Sequence, residues 1–365
     1  MIAFIRCAFR AGVVAGLLAV VSACSAGHAS ASATPTPAPA PARTHLNVVY
    51  GQSAQGLPVT ADLFSPTAAK GPAPVVIVIH GGSWDTGDKQ ATDPYAQALA
   101  STGFVTVSVN YTLSTPAHPG YPEQVQEIQR AIQWSIANAS RYGGDPHRLA
   151  LVGFSAGAYL AAQAGLLDSG LPGRPIKAVV TLSAPLDFVS IDKMIRARVA
   201  VCGYRPSCPQ QPQDPAPSAF ATLFNFLGCP TGHCSSQLLR EASPSNHVTA
   251  QAPAFQIFNS SDELIPRSQA TEMGDLLRSA GVPEQVTIIP GSQHGEAYLP
   301  TVSPAISKFL GHQLGLPQVA LVTPSGTPAS PYGTPTVLIV CCALVAAGSL
   351  GVILLALRRR TAGYR

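Results

Sequence analysis

Charge is scarce in this sequence. Only 11% of its 365 residues are Asp, Glu, Lys or Arg. The formal net charge of +4 overstates the basic side. Six arginines, Arg6, Arg10, Arg358, Arg359, Arg360 and Arg365, lie in the terminal segments, where no acid accompanies them. Without them 16 basic residues face 18 acidic ones, a net charge of −2. That balance excludes a basic, nucleic-acid-binding body. No internal repeat is visible, which argues against a solenoid or propeller. The histidines at 28, 45, 118, 147, 233, 247 and 312 show no metal-ligand spacing, so neither a resident metal nor a cofactor is expected.

Apolar residues are plentiful, at 46%, enough for a sizeable core. Part of that share sits outside any globular body. Residues 1–24, "MIAFIRCAFRAGVVAGLLAVVSAC", place two arginines before an apolar run that is short for a membrane span. This is the build of a secretory signal. Val21-Ser22-Ala23-Cys24 resembles a bacterial lipobox, with Cys24 as the lipidated residue. A plain signal cut later, within "HASASA", is the alternative. Residues 336–357, "TVLIVCCALVAAGSLGVILLAL", carry no charge and are long enough to cross a hydrocarbon core. Arg358–Arg360 follow, so residues 358–365 are expected in the cytoplasm. The middle of the chain is thus expected outside the cell, tethered by one C-terminal span.

Two spacers flank that middle. Residues 25–44 are rich in Pro and Ala, and residues 313–335 in Pro, Ser and Thr. Neither has the apolar side chains to repay ordering. Between them, residues 45–312 alternate strand and helix patterns. Near-continuous apolar runs appear at 74–80, 104–111, 149–155, 177–184, 254–261 and 285–291, as expected of strands buried on both faces. Helical stripes lie between them, the longest at 122–142 with Val125, Ile128, Ile132 and Ile136 on one side. The predicted fold class is α/β, a mostly parallel sheet flanked by helices and begun by an antiparallel pair. Residues 187–253 break the alternation. They hold Cys202, Cys208, Cys229 and Cys234 and the apolar run "AFATLFNFLG". We read them as a partly helical, lid-like insertion. Outside the cell these cysteines suit two disulfides, of which three connectivities are possible. A zinc site with His233 is the rival, disfavoured by loose spacing and an oxidising compartment.

Chemistry in such a sheet gathers at the carboxyl ends of strands. "LALVGFSAG" puts Ser155 between Gly153 and Gly157, after a buried strand and before a helix, the context of a nucleophile elbow. A neutral serine needs a base, itself oriented by an acid. His294 follows the last strand and Asp262 the one before it. Asp187, after the preceding strand, is the rival acid. "HGGSW", residues 80–84, offers backbone N–H donors for a developing oxyanion. The amides of Gly82 and Ser83 are the candidates there, with Ala156 as the third. His80 and Gly81 support that loop, and Trp84 packs beneath it.

These segments resemble the esterase/lipase branch of the α/β-hydrolases, in particular the hormone-sensitive-lipase-like carboxylesterases and the BD-FAE group. The resemblance spans roughly residues 45–312. It implies an α/β-hydrolase fold and carboxylic-ester hydrolysis through an acyl-enzyme, with Ser155, Asp262 and His294 as triad. The substrate would be a small-molecule, lipid or carbohydrate ester. The chain departs from the pattern at Ser83, where relatives often have glycine, at Gly157-Ala158, and in the cysteine-rich insertion. A peptidase or amidase on the same machinery, and a non-catalytic surface binding module, are the alternatives.

Overall fold

The computed structural model describes residues 42–67, 71–202, 221–229 and 233–316. The leader, the apolar span, the basic tail and all but the inner ends of the two spacers lie outside the described residues. Among the described residues no helix is long and apolar enough to cross a membrane.

An eight-stranded sheet runs through the body. Its strands are β1 (Arg43–Gln52), β2 (Pro58–Ser65), β3 (Ala73–Ile79), β4 (Val105–Val109), β5 (Gly144–Phe154), β6 (Ile176–Leu182), β7 (Ala254–Ser260) and β8 (Glu284–Ile289). Their spatial order is β1-β2-β4-β3-β5-β6-β7-β8. β1 pairs antiparallel with β2, and β2 with β4. Every other pairing is parallel. The expected α/β architecture with an antiparallel start is what forms.

Alternation along β3 explains the continuous apolar runs. Val75, Ile77 and Ile79 face one core and Val76 and Val78 the other, all fully buried. Helices α2 (Glu123–Asn138), α3 (Ala156–Leu167) and α7 (Ser268–Ser279) cover the first face. Helices α1 (Asp93–Ser101) and α8 (Leu299–Gln313) cover the second. Each fully buried Val, Leu or Ile side chain contributes about 1.5–3 kcal/mol. α3 is mostly apolar, Gln163 being its amide, and is buried from Ala156 to Leu166. Its small residues let it lie close to the sheet beneath the site.

From β3 the chain goes to β4 on one side and later returns to β5 on the other. The connections leave β3 and β5 in opposite directions, so a crevice opens at their carboxyl ends. Residues 80–84 and Ser155 stand at its two edges.

Among the described residues the insertion contributes three α-helices, α4 (Phe188–Cys202), α5 (Ala221–Leu227) and α6 (Ser236–Glu241), a 3-10 turn at Pro244–His247, and no strand. Cys229 and Cys234 form one pair, with Cα atoms 5.2 Å apart. Cys208 and the side chain of Cys202 lie outside the described residues, so the second expected pairing is outside them too.

Candidate active site

The tightest constraint on the site is steric. A Cβ on Gly153 would come within 2.2 Å of the Gly157 carbonyl oxygen. A Cβ on Gly157 would come within 2.3 Å of the His80 carbonyl oxygen and 2.4 Å of that of Ile79. Strand, helix and the loop after β3 meet here backbone to backbone, and only glycine fits. Ser155 between them has φ 50° and ψ −116°, a strained turn that costs on the order of 1–3 kcal/mol. It occupies the N-cap of α3, yet its hydroxyl makes no capping bond. The Oγ instead lies 2.8 Å from His294 Nε2.

The other ring nitrogen, Nδ1, meets a carboxylate oxygen at 2.5 Å, and that carboxylate belongs to Glu263. Asp262, the residue expected there, is not part of this contact. Its side chain is exposed and accepts from Ser261 Oγ at 2.6 Å. The turn after β7 directs residue 263 inward and 262 outward. Burial follows the same division, since the Glu263 side chain is 0% exposed. Its Oε1 accepts from Ser260 N at 2.7 Å and from the Tyr298 hydroxyl. Asp187 also lies apart, accepting from Val189 N and Ser190 N at the start of α4.

The loop after β3 turns through three successive positive φ values, 119° at Gly82, 52° at Ser83 and 68° at Trp84. Hydrogen bonds staple it. Thr86 N and Thr86 Oγ1 donate to Gly82 O at 3.0 and 2.9 Å. Ser114 N and Gln124 Nε2 both donate to Trp84 O at 2.8 Å. Gly81 N donates to Glu296 Oε1 at 3.3 Å, a tie to the histidine loop that the sequence did not suggest. His80 is buried beneath, its ring stacked on Tyr111 at 4.3 Å and its Nδ1 donating to Gly81 O at 2.6 Å. Burial lowers its pKa, which favours the neutral ring. Among the described residues nothing accepts from the N–H groups of Gly82 or Ser83. Ala156 N, in the first turn of α3, is an orphan helix donor.

Ser83, Ser155 and Ala156 line one small pocket, with Trp84, Pro185, Thr222, Leu223, Leu264 and Ile265 as its walls. Gly82 is not among those lining residues. The pocket is narrow and opens to solvent, with about 360 Å³ of free space including its open side. α5 of the insertion forms its roof. Phe226 stacks on Trp84 at 4.5 Å, and Tyr159 and Phe188 pack edge-on against the same indole. Among the described residues no cluster of His, Cys, Asp and Glu has a metal-binding arrangement.

Sheet order, elbow and histidine contact define a carboxylesterase-like α/β-hydrolase. The BD-FAE family model matches residues 61–277, and the chain belongs to that family. It is 30% identical over 250 residues to the probable carboxylic ester hydrolase LipM of Mycobacterium tuberculosis, covering 66% of this chain and 54% of LipM. It is 31% identical over 262 residues to the esterase LipC of the same organism, covering 68% of this chain and 59% of LipC. The chain thus spans little more than half the length of these relatives. Among solved structures, the esterase LipW from Mycobacterium marinum matches with a TM-score of 0.57 and 26% identity, over 75% of this chain and 81% of LipW. A truncated carbohydrate esterase from gut microbiota matches with a TM-score of 0.58 and 21% identity, over 75% of this chain and 97% of that one. That second likeness is one of fold.

Proposed function

We propose that the protein hydrolyses carboxylic esters of short acyl chains through an acyl-enzyme on Ser155. The observation that carries this is the continuous contact from Ser155 Oγ to His294 Nε2 at 2.8 Å and from His294 Nδ1 to Glu263 Oε2 at 2.5 Å, set on a strained elbow. His294 takes the serine proton as Oγ attacks the ester carbonyl. Glu263 holds the ring in the tautomer that leaves Nε2 free to accept, and stabilises the imidazolium. The N–H groups of Ser83 and Ala156, with Gly82 behind them, receive the oxyanion. The imidazolium returns the proton to the departing alcohol. Water, activated by the same histidine, then releases the acid and restores the serine.

The narrow pocket lined by Ser83, Ser155 and Ala156 supports the short acyl chain of this reading. The alcohol side is open in this reading, and the named esterase relatives agree with an ester rather than an amide bond. We further propose that the body works outside the membrane, anchored through residues 336–357. The uncharged run ahead of Arg358–Arg360 and the leader-like residues 1–24 support that placement.

The test is hydrolysis of p-nitrophenyl esters from acetate to decanoate, with fluorophosphonate labelling of wild type and Ser155→Ala. Hydrolysis falling with chain length and labelling confined to the wild type are expected. No labelling and no hydrolysis would reject the enzyme. Decanoate turned over as well as acetate would reject only the short acyl group. Proteolytic shaving of intact cells checks the location, since a cytoplasmic body would stay protected.

A further inference from the structure

Resting on the assignment of Ser155, His294 and Glu263 above, we propose that Tyr298 and Ser183 are positioning residues. Together they hold the Glu263 carboxylate in the one orientation that faces His294. Neither residue touches His294 or Ser155 through a hydrogen bond.

The assignment follows from the direction of the protons. Gly295 N donates to Ser183 Oγ at 2.8 Å. Ser183 Oγ, with a single proton of its own, donates to the Tyr298 hydroxyl oxygen at 3.0 Å. Tyr298 then has one proton left, and it goes to Glu263 Oε1. The chain begins on the residue after His294 and ends on the carboxylate beside His294. It therefore closes a ring around the acid and the base, with every proton directed at the acid.

Four further facts give the ring its purpose. Ser183, Tyr298 and the Glu263 side chain are all 0% exposed, so water does not stand in for a missing donor. Glutamate has one more rotatable bond than aspartate and needs a second anchor to keep Oε2 on the histidine. Ser260 N fixes Oε1 from one side at 2.7 Å and Tyr298 from the other. Burial, then the Glu263 hydrogen bond, raises the pKa of the Tyr298 phenol, so it remains a donor throughout the working pH range. Ser183 itself is held at φ 60° by its N–H bond to Phe258 O at 2.9 Å. The backbone at the end of β6 is thus shaped to present this hydroxyl.

The experiment is a double-mutant cycle on the full chain, with p-nitrophenyl acetate as substrate. Tyr298→Phe keeps the ring in its core and deletes one proton. We expect kcat to fall roughly 10-fold, as for loss of a hydrogen bond to a buried charge, with KM within about 2-fold. Ser183→Ala, which keeps Tyr298 intact, should lower kcat less, in the same direction. In a Glu263→Gln background Tyr298→Phe should change kcat less than about 2-fold, because there is no carboxylate left to hold. A packing role alone would give equal losses in both backgrounds and would overturn the proposal. Wild-type kcat in folded Tyr298→Phe would do the same. Should Tyr298→Phe fail to fold, the cycle is run with Ser183→Ala, and equal losses in both backgrounds reject the proposal. Wild-type activity in Glu263→Gln would instead reject the triad assignment itself.

Discussion

The serine side and the acid side of the site are built by different forces. On the serine side backbone meets backbone. Gly153, Gly157 and the His80 carbonyl oxygen leave no room for a Cβ, and Ser155 is held by sheet and helix packing. On the acid side the chain turns through exposed residues after β7 and β8, and side-chain hydrogen bonds do the fixing. Glu263 accepts from Tyr298 and from the Ser260 backbone N–H, and Ser183 donates to Tyr298, all in buried surroundings. Steric constraints select residue type at a fixed spacing. Hydrogen-bond networks select a geometry that several spacings can supply.

The largest expected effect divides the two adjacent acids. Glu263→Gln should lower kcat/KM about 10³–10⁴-fold, the scale seen when the acid of such a triad is neutralised. Asp262→Asn, at the surface, should stay within about 2-fold. Steady-state kinetics on the pair checks this. The reverse ranking would return the acid role to Asp262 and dissolve the contrast between the two sides.

Next comes Gly157→Ala. Its Cβ would press on the carbonyl oxygens of Ile79, at the end of β3, and of His80 after it, so the strain falls on backbone. We expect a loss of about 3 kcal/mol or more, beyond ordinary overpacking, measured by urea unfolding. A loss below about 1 kcal/mol would show that the serine side yields more than its geometry implies.

The smallest effect concerns a polar cluster near the loop after β3. Lys89 is buried, with Nζ 3.3 Å from Asp62 Oδ2 and 2.9 Å from Asn47 Oδ1. Nearby, Asp93 has its pKa pushed up to about 6 by burial and by the Asp62 carboxylate, against the pull of Ser108 and Lys89. A folded pKa above the ordinary 3.8 means that the native state binds this proton more tightly than the unfolded chain. The stabilisation is complete below pH 3.8 and is lost as pH rises through about 6. Asp93→Asn removes that slope. The difference in Tm, variant minus wild type, should therefore rise between pH 4 and pH 7. A flat difference would place the pH dependence elsewhere.

The two sides also differ in how legible they were. The elbow, the "HGGSW" loop and the alternation of strands and helices were readable because each rests on local rules. Continuous β-branched runs mark strands buried on both faces, and G-x-S-x-G marks a turn that excludes side chains. His294 was readable from its place after the last strand. Glu263 was not. Asp262 and Glu263 are neighbours in one turn, and a one-residue difference reverses which carboxylate faces inward. Tyr298, Ser183 and Glu296 carried no motif at all. Their contacts run across 35, 115 and 215 positions of sequence.

The sequence by itself determined the α/β alternation, the mostly parallel sheet and the tight glycine-flanked turn at Ser155, because packing periodicity and steric exclusion act over a few residues. Only the tertiary structure decided the strand order, which carboxylate contacts the histidine and which hydroxyls contact that carboxylate. Those depend on the path of a turn and on side chains brought together from distant strands. Hydrogen-bond satisfaction in a buried space is judged over the whole fold at once.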